Sequence, residues 1–157
     1  MAPLIKSSGE ILTKQIEIEK MQSLSAEADR ALELMGRAIR MAGYQHVTSF
    51  TPFGKNTSSI KDPLCIQKGL GFRGSDAFTV KYELSSGIDF DCIGNVLSKD
   101  RTKNNLAVQG FLVDRQASAP KGARVNGGSL ICQSLDRHGS IQNTTLMNGV
   151  NRLLIEE

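Results

Sequence analysis

The chain has 157 residues, 39% of them hydrophobic and 22% charged, with 19 basic and 16 acidic side chains for a net charge of +3. A chain of that length forms one domain, or one domain with an appended helix, and buries roughly 70% of its unfolded surface without needing a metal or disulfide. No run of about 20 apolar residues and no signal-peptide pattern is present, and the basic residues are too scattered for a dedicated nucleic-acid binder.

Residues 1–43 carry the most regular pattern. Leu4, Ile11, Ile18, Ser25, Leu32 and Ile39 recur every seven positions, followed three further on by Lys14, Met21, Ala28, Met35 and Ala42. A period of seven predicts a long amphipathic helix with a coiled-coil-like seam. Ser7 with Glu10 fits a capping box at its start, and Gly43 fits its stop. Leu12, Ile16, Leu34 and Met41 lie off the seam, so the helix is expected to be covered on more than one side. Gly36 costs about 1 kcal/mol inside a helix and marks an expected bend or close contact.

Composition then changes. Of 15 glycines, 12 follow Gly43, and the excess positive charge lies there too. Residues 44–75 read as a Gly/Pro-rich loop segment. Within it, Lys55, Lys61, Lys68 and Arg73 are interspersed with Phe50, Phe53 and Phe72, a mixture that suits contact with a nucleic acid or other ligand. Gly69-Leu70-Gly71-Phe72-Arg73-Gly74 matches G-x-G-x-x-G, but an alternating strand follows it where a dinucleotide site requires a helix. Gly54-Lys55-Asn56-Thr57 lacks the earlier glycine of a phosphate loop.

Residues 76–157 read as an antiparallel β domain. Phe78, Val80, Tyr82 and Leu84 alternate with Thr79, Lys81 and Glu83 in the clearest strand. Further strands are expected over Ile88–Leu97, Leu106–Val113, Ala123–Val125 and Ser129–Leu135, and over Thr144–Met147 and Val150–Ile155. Asn126-Gly127, Asp136-Arg137-His138-Gly139 and Asn148-Gly149 supply the hairpin turns of a closing meander. No helical period follows Gly43, so the expected fold is α+β: a long N-terminal helix and an antiparallel sandwich or barrel-like domain.

Cys65, Cys92 and Cys132 sit among apolar neighbours and read as buried free thiols of a reducing compartment. Asp89 and Asp91 could form a carboxylate pair for a hard cation or for acid/base work; the solvated face of a strand is the preferred reading. His138 reads as a solvated turn residue, and neither it nor His46 is placed beside a cysteine. No catalytic residue, metal site or cofactor is therefore expected.

The expected function is a structural, self-assembling subunit of a homo-oligomeric particle or filament, since viral and phage virion or tail components commonly have this plan. Its interface would be the seam of Ile11, Ile18, Met21, Leu32, Met35 and Ile39. Its partners would be copies of itself and other assembly components, in the cytoplasm or within an assembled particle. The alternative is a nucleic-acid or ligand-binding module that uses residues 50–74.

Overall fold

The seven-residue pattern is realised as α1, Ala2–Gly43, in the computed structural model of the chain. The structure describes residues 2–43, 62–84, 89–98, 100–102, 105–116 and 126–156. The 42 residues of α1 form a rod of about 63 Å at 1.5 Å per residue. It is built mostly from Ala, Leu, Met, Glu, Gln, Lys and Arg, the stronger helix formers, and has no proline after Pro3. Proline is tolerated in a first turn because its missing N–H has no helical partner there. The helix therefore begins upstream of Ser7, and Ser7–Glu10 is not its cap.

Among the described residues seven strands follow: β1 Leu64–Gln67, β2 Ala77–Glu83, β3 Asp89–Phe90, β4 Val96–Leu97, β5 Leu106–Arg115, β6 Gly128–Leu135 and β7 Ile141–Val150. One sheet has the order β1-β2-β5-β6-β7, with every pairing antiparallel, and β3 and β4 form a separate hairpin. The fold is α+β as expected. The β part is an open five-stranded sheet with a small hairpin, not a closed barrel.

The core lies on one face of this sheet. Period-two alternation sends Phe78, Val80 and Tyr82 of β2 inward together with Phe111 and Val113 of β5 and Leu130 and Cys132 of β6. Phe78 is directly opposite Phe111, and their rings stack at 4.9 Å between centroids. Ala31, Met35, Ala38 and Ala42 of α1 are buried in the same cluster. Their spacing of four, three and four makes one helix face, and three alanines let the helix axis come close to the sheet. The helix meets β2 and β7 through this C-terminal portion.

Several sequence expectations are corrected. The 44–75 segment contains edge strand β1 and a short 3-10 turn, Phe72–Gly74; its residues 44–61 lie outside the described part. Ile88–Leu97 is not one strand. It folds back at Asp91–Gly94, where Gly94 adopts φ +97°. Asn148-Gly149 is not a hairpin, because β7 continues through it. Gly128 pairs with Val150 and Ser129 with Asn148, which leaves Gly149, at φ +76°, as the extra residue of a bulge. Beyond β7 the chain does not make a further strand; Leu153 and Ile155 are hydrogen-bonded across the sheet end to Ser75 and Asp76. Ala123–Val125 lie outside the described residues.

The cysteine expectation is corrected as well. Cys92 and Cys132 are joined in a disulfide with Cα atoms 6.3 Å apart, and Cys65 on β1 is exposed. Apolar neighbours signalled burial, but pairing depends on the β3–β4 hairpin folding over β6. Cys65 lies opposite Thr79, on the sheet face away from Ile66 and Phe78.

Candidate functional site

Three surfaces could carry function: the uncovered length of α1, the segment around Arg73, and a cleft between two turns.

On α1 the first buried position is Ala31, and the side chains from Ser7 to Glu27 are all exposed. Ile11 is 62% exposed, Ile18 55%, Met21 72%, Leu32 61% and Ile39 42%. These are five of the six expected interface residues. The sixth, Met35, is 6% exposed and belongs to the face that docks on the sheet. At 100° per residue, Leu32 and Ile39 lie about 80° around the helix from that docking face. On the opposite flank, Leu34 and Met41 are half-buried beside the β3–β4 hairpin. The domain thus covers two sides of the last four turns and leaves the seven-residue stripe open from Ile11 to Ile39. Leu12 and Ile16, at 59% and 51% exposure, form a second open stripe in the first half. The described residues of the single chain do not supply the apolar cover expected for them.

Of the four basic residues in the loop segment, Lys55 and Lys61 lie outside the described residues. The other two are brought against the C-terminal tail. Lys68 Nζ is 3.6 Å from Asp76 Oδ2 and donates to the Ile155 carbonyl. Arg73, in the left-handed region at φ 54°, donates from Nη1 to Asn151 Oδ1 at 2.6 Å, with its guanidinium 5.1 Å from the Phe72 ring centroid. Asp76 organises this region: it accepts the amides of Gly69 and Ile155, each at 2.9 Å. The Ile155 amide, then the Gly69 amide, and finally Lys68 hold its carboxyl below the usual range, against an opposing effect of burial. The glycine-rich motif therefore shapes a turn that anchors the tail. A Cβ at Gly71 would stand 2.8 Å from the Val113 carbonyl oxygen, which explains one glycine by close approach.

The third surface comes from two turns of the same construction. Asp91 Oδ1 accepts the amides of Ile93 and Asn95 at 3.0 and 2.7 Å, and Asp136 Oδ1 accepts those of His138 and Ser140 at 2.9 and 2.8 Å. In each, an Asp begins a tight turn with a positive-φ glycine three residues on, Gly94 and Gly139. Between the turns lies a cleft of about 240 Å³ lined by Arg101, Ser134, Arg137, His138 and Gln142, among others. Asn95 Nδ2 bridges to Gln142 Oε1 at 2.9 Å. The expectation of a solvated Asp89–Asp91 pair is corrected: Asp91 is only 7% exposed and is taken up by its own turn. Asp89 is half-buried and its charge bears on Tyr82. His138 is an exposed turn residue, as expected; His46 lies outside the described residues.

Tyr82 is buried and accepts a hydrogen bond from Gln109 Nε2 at 2.8 Å. Burial, reinforced by Asp89, pushes its pKa up to about 12. Among the described residues no group of three or more His, Cys, Asp or Glu could hold a metal ion. None of these hydrogen bonds pairs a nucleophile with a base.

Comparison of the chain with family models, with curated proteins and with solved structures finds no match. Sequence reasoning named the Asp136 turn but missed the matching turn at Asp91, the role of Asp76 and the Cys92–Cys132 pair. The repeated Asp-x-x-Gly spacing was the signal available for the turns; no local signal announces the other two. No helix of the described residues is long and apolar enough to cross a membrane.

Proposed function

We propose that this protein is a structural subunit that associates with copies of itself along the open stripe of α1. The observation that carries the reading is the exposure of Ile11, Ile18, Met21 and Leu32, each more than half uncovered, on a helix whose side chains from Ser7 to Glu27 are all exposed. A helix with this much apolar surface is poorly accommodated by water. Pairing the stripe residues of two helices removes on the order of 1,000 Å² of mostly apolar surface, the scale a specific interface needs. Two stripes per helix suit a bundle or filament better than an isolated pair, which would leave Leu12 and Ile16 wet.

The basic loop segment fits a nucleic-acid role less well, because Lys68 and Arg73 are engaged with the chain's own tail. The test is the mass of the protein at micromolar concentration by sedimentation or light scattering, for the wild type and for Ile18→Asp with Leu32→Asp. Both residues are exposed in the single chain, so the double variant should remain folded by circular dichroism and run as a monomer. A wild type that is monomeric at high concentration overturns the reading.

A further inference from the structure

We propose that the Cys92–Cys132 bond is a reducible latch that couples thiol redox state to the seating of α1 on its own domain. Cys92 belongs to the turn between β3 and β4, whereas Cys132 is a core residue of β6 with no exposed surface. Besides the disulfide, the hairpin reaches the sheet at three points among the described residues, one of them Asp89, whose charge bears on Tyr82. Asn95 bonds to Gln142 of β7, and Leu97 enters the core. On its inner side Phe90, Asp91 and Cys92 close a small space together with Leu34, Arg37, Ala38 and Met41 of the helix. The hairpin is thus one wall of the helix seat, and the disulfide holds that wall in place. Tyr82 and Gln109 line the same space, so lifting the hairpin would let water reach a buried polar pair.

The exchange chemistry is complete with a dithiol reductant. Its thiolate attacks Sγ of Cys92, the half-buried residue of the pair, and the Cys92–Cys132 bond breaks as a mixed disulfide forms at Cys92. Cys132 leaves as a thiolate and takes up a proton. The reductant's second thiolate attacks its own sulfur in the mixed disulfide, which releases Cys92 as a thiol and the reductant as its cyclic disulfide. Two electrons and two protons pass to the protein. Because the leaving sulfur is buried, the hairpin must lift for the reaction to finish. Exposed Cys65 takes no part and serves as an internal count of one.

The test uses the full chain purified without reductant, before and after dithiothreitol, beside Cys92→Ser, Cys132→Val and Cys65→Ser. Thiol titration in denaturant should find one thiol before reduction and three after. Hydrogen exchange should rise at least tenfold on reduction in residues 31–42 and 89–97 but not in β5 and β6. Cys92→Ser and Cys132→Val should match the reduced state, the valine filling the buried volume, and Cys65→Ser should match the oxidised wild type. Three thiols without reductant would overturn the latch. So would helix exchange that is equal in the two states, or exchange that rises equally throughout the sheet, which would make the bond a global staple.

Discussion

Asp76 and Ile155 lie 79 positions apart, yet the Ile155 amide donates to Asp76 Oδ2 at 2.9 Å. The same tail is held by Asp76 N donating to Leu153 O at 2.8 Å and by the Ser75 hydroxyl, which accepts the Leu153 amide at 3.2 Å. One carboxylate therefore fastens the end of the chain across the β1–β2 connection. Its folded-state pKa is lowered from 3.8, so the stability it contributes is full above that value and is lost as pH falls through the folded-state value. Asp76→Asn should lower the urea midpoint at pH 7 and raise amide hydrogen exchange at Leu153 and Ile155. The difference from wild type should shrink as pH falls below 3.8, first as the unfolded chain takes up the proton and then as the folded-state carboxyl does.

Tyr82 gives the opposite sign at the other end of the scale. Its folded-state pKa is raised from 10.0 to about 12, so the folded state holds its proton longer than the unfolded state does. Stability from this group is present below pH 10 and declines as pH rises towards 12. Ultraviolet titration of the phenolate band should show one of the two tyrosines ionising only near 12, and Tyr82→Phe should remove that late step.

Two glycines of the central strands should respond differently to the same substitution. A Cβ at Gly128 would stand 2.6 Å from the Asp114 carbonyl oxygen and 2.7 Å from Val113 Cγ1, with backbone on one side and core on the other. At Gly110 the nearest atoms are side-chain ends at 3.6 and 3.7 Å. Gly128→Ala should cost about 1–3 kcal/mol in denaturant unfolding, and Gly110→Ala less than about 0.5 kcal/mol.

Gly36 has no neighbour that requires it. A Cβ placed there would meet Arg40 Nη1 at 3.6 Å, the end of a flexible side chain. The expected bend or close contact is not seen among the described residues of the single chain. Gly36→Ala should therefore raise the stability of the isolated chain by about 0.5–1 kcal/mol, read by thermal unfolding at low concentration. It lies beside Leu32 and Ile39 on the open stripe, so the same change reports on helix–helix approach when the light-scattering mass is compared.

Phe111 is the central core residue, with no exposed surface and its ring stacked on Phe78. Phe111→Ala should lower stability by about 3–5 kcal/mol, checked by urea denaturation.

The sequence by itself determined the long helix ending at Gly43, strands β2, β5 and β6, and the turn at Asp136, because each is written in local periodicity or turn chemistry. It also marked Ile11, Ile18, Leu32 and Ile39 as one stripe, but that the domain leaves the stripe open was decided by the tertiary structure. Only the tertiary structure decided which helix face the domain takes. The seven-residue period put Met35 in the seam with Leu32 and Ile39, whereas close packing on a sheet selects the row containing Ala31, Ala38 and Ala42, and Met35 belongs to that row. The Cys92–Cys132 bond, the tail fastened by Asp76 and the bulge that carries Gly149 through β7 depend on residues brought together from distant parts of the chain. Local pattern carries the propensity of each segment but not its partner, and these three features are made of partners.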